Sequence, residues 1–277
     1  MKEIFDNLSS EMSKLCTKTY STSFSLGIRI LDKKYRKPIY NIYGFVRFAD
    51  EIVDSFHDFD KVKLLEQFKV DTHKAIVDKI SLNPILNAFQ KTVNEYRIET
   101  EIIDTFLKSM EMDLKKKKYN KEEYENYILG SAESVGLMCL KVFVDKDESN
   151  FEKLKYSAKK LGSAFQKINF LRDLKEDFEV LGRTYFPNIT IGKFNSSKRE
   201  IEEDIEHDLK EALYGINKLP NGAKKGVHIA FVYYNSLFQK IKDTPANVIL
   251  EKRIRINNGK KIGLMFNSLI KHQLNTL

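Results

Sequence analysis

Glycine and proline are scarce in this chain, with 12 and 5 residues among 277. Strand-like alternation of apolar and polar residues is nearly absent too, so the sequence predicts an all-α protein. The two cysteines, Cys16 and Cys139, lie far apart in apolar helical settings. Two scattered cysteines form neither a disulfide framework nor a zinc site, and we expect both to be reduced core residues.

Long apolar runs are missing as well. No 18 consecutive residues are apolar, and the first 20 are amphipathic and charged throughout. The sequence therefore predicts neither a membrane span nor a signal peptide, which favours a cytoplasmic protein. Because it has no internal repeat, low-complexity tract or linker, residues 1–277 are expected to form one domain of roughly ten helices.

The net charge of +8 favours anionic partners such as diphosphates, anionic lipid or nucleic acid. The basic residues are scattered over many predicted helices, and no nucleic-acid-binding module is recognisable, so we expect no nucleic-acid partner. Peripheral contact with a membrane is compatible with the charge, although the sequence does not single out a docking face.

The segment 40–56 carries two aspartates, Asp50 and Asp54, four positions apart. On an α-helix this spacing places both carboxylates on one face, and Tyr43 and Arg47 fall within the same stripe, about 60° wide. Two interpretations are open. The helix is either an ordinary amphipathic helix with its charged side in water, or a helix that presents a functional stripe.

A second segment, 161–178, repeats the pattern with Asp173 and Asp177, again four residues apart. Gln166 and Asn169 share their stripe. This repetition favours the functional interpretation.

The lysines of this second helix support the same conclusion. Lys167 and Lys175 point away from the aspartates, and lysine heads go to water, so the stripe is expected to line a cavity. Two facing helices with a carboxylate pair each can hold magnesium, which takes few protein carboxylates and adds water and phosphate oxygens. Arg47 and Arg172 beside these carboxylates suit a diphosphate.

Two other segments combine unusual composition with helical surroundings. Residues 19–31 are rich in hydroxyl groups and are expected to form a loop with caps, which could also bind phosphate. Residues 127–138 form a predicted helix with several small residues, including two glycines. Since each glycine destabilises a helix by about 1 kcal/mol, we expect compensation by close helix packing or by a bulky ligand, and both alternatives are open.

The longest loop-like segment is predicted at 179–194, between two helices. Loops of this length often act as lids over functional sites. Arg183 and Tyr185 are its candidate contacts.

Five segments, in this order and at this spacing, resemble the head-to-head prenyl synthases, a family that includes phytoene, squalene and dehydrosqualene synthases. They are residues 20–27, 42–54, 127–136, 164–178 and 183–187. The resemblance covers nearly the whole chain. It implies the all-α isoprenoid synthase fold, with helices around a deep apolar cavity and both aspartate motifs at its mouth.

The resemblance also implies roles for individual residues. Magnesium, or alternatively manganese, would be held by Asp50, Asp54, Asn169, Asp173 and Asp177. The four aspartates, Tyr127 and Arg47 would be the catalytic residues. The diphosphates would contact Ser21, Ser23, Arg47, Gln166 and Arg172, and a second diphosphate region would include Tyr185, Tyr234 and Arg253. The prenyl chains and the cation would lie against Phe24, Tyr43, Tyr127, Val135 and Gly136.

Two positions depart from the family pattern. Glu51 stands where many members have a second adjacent aspartate, and Tyr20 stands where some members have a basic or other polar residue. Neither departure removes one of the four aspartates. The substitution at Tyr20 alters the expected cationic surroundings of one diphosphate.

By this resemblance, the protein would join two identical prenyl diphosphates through a cyclopropyl intermediate. Two C20 substrates would give phytoene, the favoured product, and two C15 substrates would give squalene or dehydrosqualene. NADPH would be needed only for squalene. An alternative of another class is a non-catalytic helical scaffold, against which the presence of all four aspartates argues.

Overall fold

The structure is a computed structural model that describes residues 1–115, 118–179, 182–187, 194–256 and 263. The described part is all-α, as predicted, apart from an isolated bridge between Lys118 and Thr184. Its helices are α1 (Lys2–Tyr20), α2 (Thr22–Ile30), α3 (Lys33–Asp54), α4 (Lys61–Asp78), α5 (Pro84–Tyr96), α6 (Thr100–Lys115), α7 (Lys121–Ile128), a π-helical segment (Leu129–Glu133), α8 (Ser134–Val144), α9 (Glu148–Glu179), α10 (Phe194–Lys218), α11 (Asn221–Lys242) and α12 (Ala246–Glu251).

Several helices begin at side-chain caps that the sequence encodes locally. Asn83 accepts hydrogen bonds from the first backbone N–H groups of α5, with Pro84 in the first helical position. Asn120 and Glu123 form a reciprocal capping box at the start of α7. These caps satisfy backbone donors that would otherwise lack partners.

The prediction of a loop over residues 19–31 was wrong for residues 19–20, which end α1, and for residues 22–30, which form α2. The hydroxyl of Ser21 accepts a hydrogen bond from the backbone N–H of Phe24 at 3.2 Å, so one hydroxyl of the cluster starts the helix. Ile28 and Leu31 are buried in the core, and α2 packs against α11. Burial of these apolar side chains outweighs the loop-like composition.

The long helix α9 lies at the centre of the fold, packed against α8, α10 and the π-helical segment. Helix α3 packs against α1, α5 and α8 and contributes its apolar side to a core in which the ring of Phe45 stacks on Phe89 at 3.8 Å and lies 5.4 Å from Phe106. The two helices that carry the aspartate pairs are therefore both fixed by extensive burial.

The segment Lys121–Val144 runs through α7, the π-helical segment and α8 as one continuous rod. Among the described helices it is long and apolar enough to cross a membrane, but 67% of its apolar window is buried inside the protein, which is typical of a core helix. Its glycines allow close packing: a Cβ on Gly130 would lie 2.5 Å from the carbonyl oxygen of Thr105, and one on Gly136 would lie 2.6 Å from that of Ala158.

The first helix packs with its small, polar side inward. A Cβ on Gly44 of α3 would lie 2.9 Å from the Oγ atom of Ser13, so the two helices approach closely there. The buried side of α1 consists of Asp6, Ser9, Ser10, Ser13, Cys16 and Thr17. Its large apolar residues consequently face outward.

Candidate functional site

An apolar cavity of about 360 Å³ is lined by residues of α2, α3, α6, α7, the π-helical segment, α8, α9, α10 and α11. Along α9 its lining extends from Leu154 to Asn169, about 22 Å at 1.5 Å per residue. Arg47 and Asp50 line one end, which we call the mouth, and Leu154 and Leu219 line the opposite end.

Arg47 organises the first aspartate motif at the mouth. Its guanidinium lies 3.9 Å from the carboxylate of Asp50 and forms an ion pair with Glu51. The same guanidinium stacks over the ring of Tyr20, 4.3 Å from the ring centroid. Both residues that depart from the family pattern therefore contact the arginine of the motif.

Two arginines surround Asp173 of the second motif. The Nε atom of Arg172 donates to one carboxylate oxygen at 2.9 Å, and its Nη2 atom donates to the other. The Nε atom of Arg253 lies 2.7 Å from the same carboxylate. This side of the mouth thus holds two guanidinium groups.

Arg183 joins the two motifs. Its Nη1 atom donates to Asp54 of α3 at 2.8 Å and lies 3.7 Å from the carboxylate of Asp113 on α6. Its backbone N–H donates to the carbonyl oxygen of Asp177 on α9, also at 2.8 Å. The side chain of Arg183 therefore connects α3 and α6, and its backbone connects them to α9, so the aspartate pairs of α3 and α9 meet at the same end of the cavity.

Asp113 is a functional candidate that sequence reasoning missed. Its buried carboxylate accepts hydrogen bonds from the hydroxyls of Tyr119 at 3.0 Å, Tyr127 at 2.7 Å and Tyr185 at 3.2 Å. It thereby holds together a cluster of three tyrosines behind the aspartate motifs.

A signal for Asp113 was present in the sequence. It follows Phe106 and Met110 at helical spacing, so it lies on the apolar face of α6. A carboxylate on the buried face of a helix needs partners, because an unpaired buried charge is costly.

The carboxyl groups of the site repel one another in a setting of low polarity. Burial, with a further contribution from Asp54, raises the pKa of Asp50 to about 7. Burial raises the pKa of Asp177 to about 8, and Asp173 and Asp54 add to it. Burial also raises the pKa of Asp113 to about 6, although Arg183 opposes the shift. The metal-free site therefore favours protonated carboxyl groups, and a bound cation would favour their ionised form.

Aromatic rings form much of the cavity wall near the mouth. The rings of Phe24 and Tyr43 lie 5.9 Å apart, and Phe165 stacks on Tyr234 at 3.8 Å. The residues predicted for the prenyl chains and the cation all line the cavity: Phe24, Tyr43, Tyr127, Val135 and Gly136. Gln166, Asn169 and Tyr234 line it too.

Other predicted substrate contacts lie outside the cavity lining. Ser21 caps α2, and Ser23 is half-buried in the first turn of that helix. Tyr185 is buried in the tyrosine cluster, and Arg253 is engaged with Asp173. The structure therefore places Tyr185, Tyr234 and Arg253 in three different surroundings.

The expectation that Lys167 reaches water was wrong. Its side chain is buried, and its Nζ atom lies 2.7 Å from the carboxylate of Asp208 and 2.5 Å from that of Asp204 on α10. The reason is that α10 carries aspartates on the face that packs against α9. Because Lys167 still points to α10, Gln166 and Asn169 are left to face the cavity.

The donor set fits divalent cations shared with a phosphate ligand. No three acidic, histidine or cysteine side chains in the described part of the chain converge into a ready-made metal cage. Magnesium does not need one, because it binds through one or two carboxylates and completes its octahedron with water and phosphate oxygens. Two buried polar atoms at the mouth, Nε of Arg47 and Oδ1 of Asn169, have no hydrogen-bond partner and are suited to such ligands.

The sequence profile of the family described as squalene/phytoene synthase matches residues 17–260. The chain belongs to this family. Among curated squalene/phytoene synthase relatives, it is 28% identical to 4,4'-diapophytoene synthase of Staphylococcus haemolyticus, over 69% of this chain and 65% of that protein. It is 24% identical to the chloroplastic phytoene synthase 1 of Zea mays, over 95% of this chain and 67% of that protein. The chain thus spans about two thirds of these relatives.

Solved structures show the same squalene/phytoene synthase fold. A dehydrosqualene synthase in complex with ligand matches with a TM-score of 0.82 and 19% identity, covering 98% of both chains. A squalene synthase from Alicyclobacillus acidocaldarius matches with a TM-score of 0.76 and 18% identity, covering 87% of this chain and 95% of that one.

Proposed function

We propose that this protein joins two prenyl diphosphates head to head through a cyclopropyl diphosphate intermediate. The observation that carries the proposal is the meeting of two aspartate pairs, with their arginines, at one end of a long apolar cavity. The polar end suits a diphosphate and the apolar body suits a prenyl chain.

The arginines of the mouth are the proposed diphosphate ligands. Arg47, Arg172 and Arg253 each neutralise a carboxylate of the site and can turn to the diphosphate oxygens. Bound magnesium, or manganese, would be held by Asp50, Asp54, Asn169, Asp173 and Asp177, and it would stabilise the charge of the departing diphosphate.

The remaining steps depend on the cavity. Departure of the diphosphate leaves an allylic cation, which the double bond of the second prenyl chain attacks, and loss of a proton closes the cyclopropane. A second ionisation, rearrangement and proton loss then give the hydrocarbon. The apolar lining excludes water, which would quench the cation, and the faces of Phe24 and Tyr43 stabilise positive charge.

Two geranylgeranyl diphosphates, giving phytoene, are the favoured substrates, and the match to a phytoene synthase along most of the chain supports them. Two farnesyl diphosphates, giving dehydrosqualene or squalene, are the alternative, which the match to 4,4'-diapophytoene synthase supports. Squalene would require NADPH in addition.

Product analysis tests the proposal directly. We expect the purified protein, incubated with Mg²⁺ and geranylgeranyl diphosphate, to release diphosphate and form phytoene without NADPH. Parallel reactions with farnesyl diphosphate, with and without NADPH, distinguish the C15 alternatives. Absence of any condensed hydrocarbon with either substrate would contradict the proposed activity.

The response of thermal stability to magnesium should depend on pH. Unfolded aspartates titrate near 4, whereas the pKa values of Asp50 and Asp177 in the metal-free fold are raised to about 7 and 8. The free energy of unfolding of the metal-free protein therefore falls as the pH rises from about 4 to about 8. Because a metal ion binds the deprotonated carboxylates, Mg²⁺ with diphosphate should raise Tm more at about pH 8.5 than at about pH 6. Equal increases at both pH values, with ionic strength matched by NaCl, would argue against a metal at these carboxylates.

A further inference from the structure

The outward face of α1 carries a continuous apolar stripe. The exposed fractions are 71% for Ile4, 56% for Leu8, 40% for Met12 and 64% for Leu15. These residues recur at steps of four, four and three, so they form a single line along nearly the whole helix. A contiguous apolar surface of this kind marks an interaction site, whereas single exposed apolar residues do not.

The stripe cannot turn inward, because the opposite face of α1 is already fixed. Ser13 fits against Gly44 of α3, where a Cβ would collide with it. The buried hydroxyls are satisfied within α1: Ser9 donates to the carbonyl oxygen of Phe5 at 2.8 Å, and Thr17 donates to that of Ser13 at 2.9 Å. The inward face of α1 is therefore occupied by small polar residues, and the apolar stripe stays on the outer surface.

Basic residues border the stripe. Lys14 and Lys18 follow one edge of it, and Lys37 of α3 reaches the same edge by donating to the side chain of Asn7 at 2.7 Å. Glu11 forms an ion pair with Lys14 at 2.7 Å, so Lys18 and Lys37 carry the excess positive charge of this edge, and the chain as a whole has a net charge of +8. An apolar line with a basic edge complements the surface of an anionic bilayer, where a helix lies in the plane of the head groups.

The small area of the stripe favours a bilayer, and not a second copy of the chain, as its binding partner. A stable dimer buries about 800 Å² on each partner with some 20 or more residues. Four side chains on one helix provide far less than this. A bilayer sets no such requirement, because it accepts the apolar face of a single helix.

We propose that the stripe formed by Ile4, Leu8, Met12 and Leu15 is a docking surface for anionic membranes. The last residue of α1, Tyr20, lies beneath the guanidinium of Arg47, so the docked helix would lead to the mouth of the cavity. Docking would give the cavity access to prenyl chains dissolved in the membrane, and this benefit rests on the proposed function. Membrane binding itself is independent of the proposed function.

Vesicle co-sedimentation with the full chain tests this surface. The probes are vesicles of phosphatidylcholine alone and vesicles containing phosphatidylglycerol. The test variant is L8S/L15S. The matched control is V70S/V77S, which removes two apolar side chains from α4 with exposed fractions of 56% and 77%. All four residues are exposed, so both variants should keep the wild-type circular dichroism spectrum and melting temperature.

We expect the wild type to bind the anionic vesicles, L8S/L15S to bind at least about tenfold more weakly, and V70S/V77S to stay within about twofold of the wild type. Condensation of detergent-dispersed substrate should be unchanged in both variants, which separates docking from catalysis. Failure of the wild type to bind, or equal binding by L8S/L15S, would overturn the proposal. A wild-type dimer in light scattering that L8S/L15S converts to a monomer would also overturn it, by assigning the stripe to self-association.

Discussion

Replacing Asp50 by alanine is expected to lower the rate of diphosphate release about a thousandfold or more, and Asp173→Ala should do the same. Each substitution removes a carboxylate from the mouth of the cavity. Arg47 keeps its ion pair with Glu51 in Asp50→Ala, whereas Asp173→Ala removes the carboxylate to which Arg172 donates. The measurement is phosphate release coupled to a pyrophosphatase, with Mg²⁺ and each prenyl diphosphate.

The loss of activity in these variants should not be accompanied by a loss of thermal stability. Burial and Asp54 raise the pKa of Asp50 to about 7, so at higher pH its ionised carboxylate opposes folding of the metal-free protein. We therefore expect Asp50→Ala to melt at the wild-type temperature or above it without metal, and to lose the stabilisation by Mg²⁺ with diphosphate. The control is Asp104→Ala, which removes an exposed aspartate paired with His73 on another face. Wild-type turnover by Asp50→Ala, or by the wild type in excess chelator, would refute the metal assignment. Absence of turnover in the wild type itself would favour a scaffold.

Replacing Arg183 by alanine is expected to destabilise the fold by about 3 kcal/mol, because it leaves a buried carboxylate without its cation. Arg183 is buried and lies between Asp54 and Asp113. Loss of the guanidinium also removes the link between α3 and α6. Urea unfolding monitored by circular dichroism, at constant pH and without metal, measures the change.

A second substitution distinguishes the lost ion pair from lost packing. In the Asp113→Asn background removal of Arg183 leaves only the carboxylate of Asp54, which is 38% exposed, and no buried charge. The double variant should therefore be more stable than the sum of the single changes implies, by about 1–3 kcal/mol. Burial already raises the pKa of Asp113 to about 6, so the defect of Arg183→Ala should grow as the pH rises through this value. Strictly additive changes, independent of pH, would show that Arg183 acts through packing alone.

The sequence alone was sufficient to predict the fold class and the helices that carry the aspartates. Four-residue spacing places both carboxylates of each pair on one helical face regardless of tertiary structure, so Asp50 with Asp54, and Asp173 with Asp177, could be grouped by periodicity. Family resemblance then supplied the expectation that the two faces meet, and Arg183 is the contact that connects them.

Features that depend on what packs against a helix could not be predicted in the same way. Lys167 is buried because α10 presents Asp204 and Asp208 to it, and nothing in the sequence of α9 indicates this. Asp113 meets its three tyrosines only after α6, α7 and the segment around Tyr185 come together. Helix α2 is stabilised by burial against α11, which overrides a hydroxyl-rich composition typical of loops.

Because of the π-helical segment Leu129–Glu133, the cavity wall formed by α7 and α8 depends on the number of residues in this stretch as well as on their identity. In a regular α-helix Tyr127 and Val135 would be separated by about 80° around the axis, whereas one extra residue in the wider turn reduces this to about 20°. Both residues line the cavity as a result. Deleting one residue between them would restore a regular α-helix, in which two residues seven positions apart are again separated by about 20°. Inserting one further residue would instead turn α8 by about 100° away from the cavity, so this stretch should tolerate a one-residue deletion far better than an insertion.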